Sequence, residues 1–320
     1  MCILNVENLN LVFQIGENVY QALHKINFSL KQGEMLALIG ESGCGKTITA
    51  MSILKLLPNN AKITSGQILY NGSDIISYNE KQMLKIRGKE IALVPQDPMS
   101  ALNPLYTIES QLIEIIKAHT GLQGEEAKKN AIEVLDLVKI PNAKERLKSY
   151  PHEFSGGMRQ RVIIAMAIAC KAKIIIADEP TTALDVTVQA QIMELLKNIQ
   201  KEFNTSFIFI SHDFGLVYEA ADNACVMYNG RIIEKSSVKE LFNSPKHPYT
   251  KALIKTLPDF NTTNLETIQG QPPSVKDVFT GCPFEPRCKS RMNECTSIIP
   301  NFCKVDNSIV SCLLFNKYKR

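Results

Sequence analysis

Residues 40–47 read GESGCGKT. The spacing G-x-x-x-x-G-K-[ST] puts Gly40 and Gly45 at the ends of a short loop, with Lys46 and Thr47 directly after it. Glu41, Ser42, Gly43 and Cys44 complete the loop, whose backbone amides can turn toward phosphate oxygens. A helix opening at Lys46 adds the partial positive charge of its N-terminus. Lys46 has the reach to meet the β- and γ-phosphates, and the Thr47 hydroxyl suits Mg²⁺. Cys44 fills a position where many side chains serve, and is not read as a nucleophile. Further on, KIIIADEP (Lys173–Pro180) is an apolar run closed by two acids. Asp178 is suited to hold Mg²⁺ through water, and Glu179 to orient and polarise an attacking water. The chemistry implied is hydrolysis of a phosphoanhydride. Taken singly, each motif could be a glycine-rich turn or a solvated acidic turn. The apolar strand before GESGCGKT and the helical pattern after it favour the phosphate loop.

A second glycine-bearing helix start lies at FSGGMRQR (Phe154–Arg161). Ser155, Gly156 and Gly157 offer a hydroxyl and bare N–H groups ahead of a helix running from Met158, which makes another anion site. One chain cannot readily turn both sites on one nucleotide.

These motifs need a scaffold. Short apolar runs predict strands at Ile26–Leu30, Met35–Gly40, Ile91–Pro95, Ile174–Asp178, Ser206–Ile210, Ala224–Tyr228 and Arg231–Glu234, and the N-terminal MCILNVENLNLVF alternates like a strand. Helical spacing predicts Lys46–Leu57, Met158–Cys170, Val186–Phe203 and Phe214–Ala221. Interleaved strands and helices predict an α/β fold with a mainly parallel sheet. Residues 99–158 read as a helical insert, because Leu105 to Tyr150 keeps helical spacing with no strand-like run. We place an ATPase domain at 1–244 and a C-terminal extension at 245–320, where Pro, Asn, Thr and Cys rise and periodicity fades.

The order of motifs resembles the ABC ATPase family, with FSGGMRQR similar to its signature. The resemblance implies an α/β ABC ATPase core that binds ATP with Mg²⁺ in a two-subunit sandwich, the signature of one subunit covering the γ-phosphate held by the other. It also implies roles for further residues. Gln96, in VPQDPMSALNP, resembles the glutamine that senses Mg²⁺ and the attacking water. Thr182–Asp185 (TALD) resembles the loop that crosses the dimer interface and ends in Asp185. His212, in FIFISHD, resembles the switch histidine on the γ-phosphate. Phe13 matches the adenine-stacking aromatic, with Tyr20 as its competitor; either is also suited to a strand core.

QDPMSALNP, SGGMRQR and His247-Pro248-Tyr249 with the following TKAL resemble the dipeptide and oligopeptide importer branch; nickel importers are close relatives. That branch implies a second, different ATPase subunit, two membrane permeases, an extracytoplasmic peptide-binding protein, and a place on the cytoplasmic face of the membrane.

Five of the nine cysteines fall between Cys282 and Cys312. Cys282, Cys288, Cys295 and Cys312 match the branch's four-cysteine pattern, for which the resemblance implies a [4Fe–4S] cluster. Zinc, or free thiols, remain alternatives, and Cys303 is an extra thiol. The tail is expected to need metal to fold, since its apolar periodicity is weak.

Bulk properties narrow the field. The net charge of +4 is small and scattered, so composition gives no argument for nucleic acid. No run approaches the roughly 20 apolar residues of a membrane helix, and the N-terminus lacks a signal-peptide layout. A soluble ABC ATPase acting on DNA or ribosomes is a competing class, but the chain lacks the long coiled-coil arms or doubled ATPase unit of such relatives. A metal-sensing regulator built on the tail is a third.

Overall fold

The computed structural model describes residues 2–182, 184–256 and 268–315. The chain divides into two compact units, one of Met1–Ser77 with Ile210–Arg320 and one of Tyr78–Phe209.

The first unit opens with two long strands, β1 (Cys2–Ile15) and β2 (Asn18–Lys31), paired antiparallel. Leu4, Leu9, Leu11, Leu23, Ile26 and Leu30 are all fully buried, which sets one face of the pair against the core. Next comes β3 (Met35–Ile39), buried at every residue as a central strand should be. Then follow α1 (Lys46–Leu54), β4 (Ala61–Tyr70) and the short β5 (Ser73–Asp74). Strands β2, β1, β4 and β5 form, in that order, one antiparallel sheet. The helix expected to reach Leu57 stops at Leu54, because Lys55 turns left-handed at φ 52° and its N–H bonds back to Ser52.

The second unit runs through α2 (Glu80–Met83), β6 (Ile91–Val94), α3 (Pro98–Ala101), α4 (Ile108–Thr120), α5 (Gly124–Leu137), α6 (Ala143–Arg146), α7 (Gly156–Ala169), β7 (Ile174–Asp178), α8 (Val186–Phe203) and β8 (Ser206–Ser211). Strands β6 and β7 are parallel, with β8 on the other side of β7. Helix α4 buries Ile108, Leu112 and Ile116 and α5 buries Ala127, Ala131, Val134 and Leu135, each at helical spacing. Arg161 on α7 is only 9% exposed, and its guanidinium donates to the Val138 carbonyl (2.7 Å) and to Gln191 Oε1 (2.8 Å). This one side chain ties α7 to the end of α5 and to α8.

The end of β8 returns the chain to the first unit, which continues as α9 (Phe214–Ala220), β9 (Asn223–Tyr228), β10 (Arg231–Ser237), α10 (Val238–Asn243) and α11 (Pro248–Lys255). It ends on the hairpin β11 (Phe302–Val305) and β12 (Ser308–Ser311). Strand β9 pairs parallel with β3, while β10, β12 and β11 add antiparallel at its side. The buried Glu234 carboxylate accepts the Lys246 N–H (2.8 Å) and the His247 N–H (2.9 Å), fixing the turn into α11. Burial raises the pKa of that carboxyl, while the bonds it accepts oppose the shift.

Two features differ from the sequence reading. The chain forms an antiparallel sheet of β1, β2, β4 and β5 in addition to the expected parallel pairs. The tail, read as lacking regular structure, carries its own hairpin and inserts Phe284 into an aromatic cluster with Tyr228, Tyr249 and His247. It therefore buries apolar surface of its own.

Candidate active site

In the first unit, GESGCGKT bridges β3 to α1. Gly40 has φ 152°, and a Cβ there would lie 2.3 Å from the Met227 carbonyl oxygen, so only glycine fits where the loop leaves the strand. Gly45 begins α1 in a left-handed conformation. Lys46 is 4% exposed, and its ammonium donates to the carbonyls of Gly40 (2.7 Å) and Glu41 (3.1 Å). Those bonds, with a long contact to the Cys44 sulfur (4.0 Å), hold the side chain across its own loop. Ser42, Gly43 and Thr47 are exposed. Cys44 is buried, and burial raises its thiol pKa, which suits a packing role and not a nucleophile.

Also in this unit, Phe13 on β1 and Tyr20 on β2 are direct cross-strand partners. The two candidates for stacking on adenine are thus neighbours on one face of the hairpin. His212 is exposed directly after β8, and Asp213 beside it caps α9 by accepting the N–H groups of Gly215 (2.8 Å) and Leu216 (3.2 Å).

In the second unit, β7 delivers Asp178 buried at its C-terminal end. Glu179 follows with φ 47°, a left-handed conformation that costs a non-glycine residue free energy. Its Oε2 accepts from Gln96 Nε2 (2.8 Å) and from the Thr182 hydroxyl (3.0 Å). The acid and the glutamine, 83 positions apart, are therefore hydrogen-bonded. Thr182, read from the sequence only as the first residue of TALD, also bonds the acid three residues before it, a contact for which the sequence gave no signal. Ser155 caps α7, accepting the Met158 N–H (3.3 Å), with Gly156 and Gly157 forming its first turn. Asp185 caps α8 through the Val188 N–H (2.9 Å). Of TALD, Ala183 lies outside the described residues.

The geometry thus comprises a lysine-bridged anion loop, a carboxylate held by a glutamine at a strand end, and a second serine-capped helix start. A model of the ABC transporter family matches residues 23–182. The chain belongs to the ABC transporter family. A model of the oligopeptide/dipeptide transporter C-terminal region matches residues 233–295. Among relatives of this ABC protein is the dipeptide transport ATP-binding protein DppD of Bacillus subtilis (strain 168). It is 46% identical over 316 residues, 98% of this chain and 94% of the relative. The oligopeptide transport ATP-binding protein OppD of Salmonella typhimurium is 44% identical over 300 residues, 93% of this chain and 89% of that protein. Among solved structures, the dimeric post-hydrolysis ATP-binding cassette MJ0796 bound to ADP and Pi aligns with TM-score 0.66 at 28% identity, over 73% of this chain and 98% of that one. CbiO1 of Clostridium perfringens, part of the transporter complex cbiONQ, aligns with TM-score 0.66 at 31% identity, over 76% and 91%. The ABC family assigns this chain an ATP-binding domain with ATPase activity.

The tail thiols form a second cluster, in the first unit. Burial raises the thiol pKa of Cys282, Cys288 and Cys312. It pushes Cys282 up to about 11, with Cys295 and Cys288 adding to the shift, and Cys312 up to about 12, with Cys282, Cys288 and Cys295 adding to it. Cys303 stands outside that mutual influence; its thiol donates to the Val310 carbonyl (3.3 Å) and is raised by burial alone. A Cβ on Gly281 would lie 2.2 Å from the Cys295 carbonyl oxygen, so glycine permits the close approach of the two cysteine segments, and the Cys282 N–H donates to that carbonyl at 2.8 Å. Arg231 lies within electrostatic reach of Cys282, and its buried Nε has no hydrogen-bond partner. Among the described residues no three His, Cys, Asp or Glu side chains converge as ligands of a single ion.

Proposed function

We propose that this chain is one of two ATPase subunits energising an importer of di- or oligopeptides, with the two subunits sandwiching nucleotide between each phosphate loop and the opposite signature. The peptide branch is supported by the C-terminal match over residues 233–295 and by full-length relatives named for dipeptide and oligopeptide transport. The sandwich is supported by likeness to a cassette solved as a dimer with ADP and Pi. No helix among the described residues is long and apolar enough to cross a membrane, so coupling to uptake would run through separate permeases. The subunit would sit on the cytoplasmic face, with an extracytoplasmic binding protein delivering peptide. Met99, Leu105 and Tyr106, exposed beside Gln96 in the same unit, offer apolar surface for a permease loop.

In this reading Lys46 neutralises the β- and γ-phosphates. Thr47, Asp178 and Gln96 would hold Mg²⁺, which supplies charge neutralisation of the phosphate oxygens. Glu179 orients the attacking water and takes up its proton. His212 meets the γ-phosphate, Phe13, or its competitor Tyr20, receives adenine, and Ser155, Gly156, Gly157 and Asp185 act across the dimer on the other subunit's nucleotide. The observation that carries the reading is the strained Glu179, held by Gln96 and Thr182 at the end of β7. Glu179→Gln is expected to retain MgATP binding while hydrolysis by the assembled transporter falls by about 10² to 10⁴. Undiminished turnover by that variant would remove Glu179 from the mechanism.

A second reading concerns the tail: Cys282, Cys288, Cys295 and Cys312 bind a [4Fe–4S] cluster in a structural role. Four mutually influencing thiols suit it, because each ligand of a cluster meets a different iron and stands further from its neighbours than the ligands of one zinc ion. The orphaned Arg231 Nε is a donor suited to a cluster's anionic sulfurs. Anaerobically purified protein should contain iron and sulfide and be brown. Serine at any of the four positions should bleach it, and Cys303→Ser should not. One tightly bound zinc without colour, or no metal at all, would reject the cluster.

A further inference from the structure

The tail also reaches the phosphate loop. Arg287 directly precedes Cys288, and its guanidinium grips Glu41 with both arms, Nη1 to Oε2 at 2.6 Å and Nη2 to Oε1 at 2.9 Å. The pair is largely sequestered, with side-chain exposures of 6% and 23%. Nη1 also donates to the Tyr228 hydroxyl at 3.4 Å. From α11, the fully buried Tyr249 directs its hydroxyl at the same residue and accepts the Glu41 N–H at 3.0 Å. Tyr249 is itself fixed by edge contacts with Tyr228 (4.7 Å between ring centres) and Phe284 (5.2 Å). The third polar group of Glu41, its carbonyl, accepts from the Lys46 ammonium at 3.1 Å and from the Cys44 N–H at 3.3 Å. Every hydrogen-bonding group of Glu41 is therefore engaged: two by the C-terminal region and one by Lys46 and Cys44 of the loop itself.

We propose that Arg287 and Tyr249 are positioning residues for nucleotide binding, acting through Glu41 to set the phosphate loop and the Lys46 ammonium. Two physical effects run through this link. The bidentate guanidinium neutralises a carboxylate that otherwise stands in a loop built for polyanions, and fork-to-carboxylate geometry fixes orientation as well as charge. The Tyr249 hydroxyl holds the peptide whose carbonyl end steadies Lys46. The C-terminal region is thereby a working part of the nucleotide site. This inference rests on reading GESGCGKT as the nucleotide cradle.

The test is ATP titration of hydrolysis by the assembled transporter, with Lys46→Ala as control. Arg287→Ala should raise KM for ATP about tenfold, the loss expected for a charge-assisted bond, and by more than it lowers kcat. Arg287→Lys, which keeps the charge but loses the fork, should fall between wild type and alanine. Tyr249→Phe should raise KM by a smaller factor through a different contact. The double variant Glu41→Ala/Arg287→Ala should be no worse than Arg287→Ala alone, since both break one link. Should Arg287→Ala fail to fold, Arg287→Lys and Tyr249→Phe carry the comparison. An unchanged KM in Arg287→Lys and Tyr249→Phe, with Lys46→Ala still abolishing nucleotide engagement, overturns the inference alone. Effects of Glu41→Ala and Arg287→Ala that simply add, or that fall on kcat alone, overturn it as well. Normal nucleotide binding by Lys46→Ala would instead overturn the reading of the loop.

Discussion

His247 shows how a buried side chain outside the chemistry governs behaviour in solution. Its Nδ1 accepts the Tyr249 N–H at 3.0 Å and caps α11, so that nitrogen carries no proton. Protonation would place a donor against a donor inside the protein, and burial holds the imidazole pKa down to about 3 from 6.5. The unfolded chain binds this proton more readily than the folded one, so the stability His247 contributes is full above about pH 6.5 and drains away as pH falls toward 3. At pH 5 the loss is about 2 kcal/mol. Glu234, whose raised pKa acts with the opposite sign, shares the site, so the difference between wild type and His247→Asn isolates the histidine. Asparagine keeps a capping acceptor without titrating. Thermal unfolding of wild type should fall more steeply between pH 7 and pH 5 than that of His247→Asn; parallel curves would show that His247 does not titrate with folding.

Among the elements, α7 carries the signature at its start and Arg161 in its body. Arg161→Ala would leave the Val138 carbonyl without its donor inside the helical unit. A cost of about 1 to 3 kcal/mol is expected for such a buried orphan, read as a lower denaturant midpoint. Much of this architecture is legible in the residues. β7 and α8 fall on the expected bounds because a buried β-branched run and an 18-residue amphipathic helix each have one strong period. The antiparallel sheet is less legible. Its β4, AKITSGQILY, is polar on much of its length, with only Ile68 and Tyr70 buried, so its partner β1 decides its state. The site divides the same way. GESGCGKT, Asp178 and Glu179 announce themselves by type and spacing and Gln96 by its resemblance, whereas Arg287 and Tyr249 bond Glu41 at separations of 246 and 208 residues. No local pattern encodes a contact of that range. Both residues lie within runs that resemble the peptide-importer branch, yet a motif does not say which loop its side chains reach.

For the whole molecule, the central claim is that hydrolysis belongs to a pair of subunits and serves peptide uptake. The sharpest measurement compares ATP hydrolysis by the isolated subunit with that of the transporter reconstituted in vesicles with its partner ATPase, permeases and binding protein, with and without Ser155→Arg in this chain. The account predicts slow hydrolysis alone, a marked rise on assembly that increases further with peptide, and accumulation of peptide coupled to it. Ser155→Arg should abolish the rise while this chain still binds nucleotide at its own loop, because in the proposed sandwich the altered residue would face the other subunit's ATP. Full turnover by the isolated subunit, indifferent to Ser155→Arg, would contradict the claim.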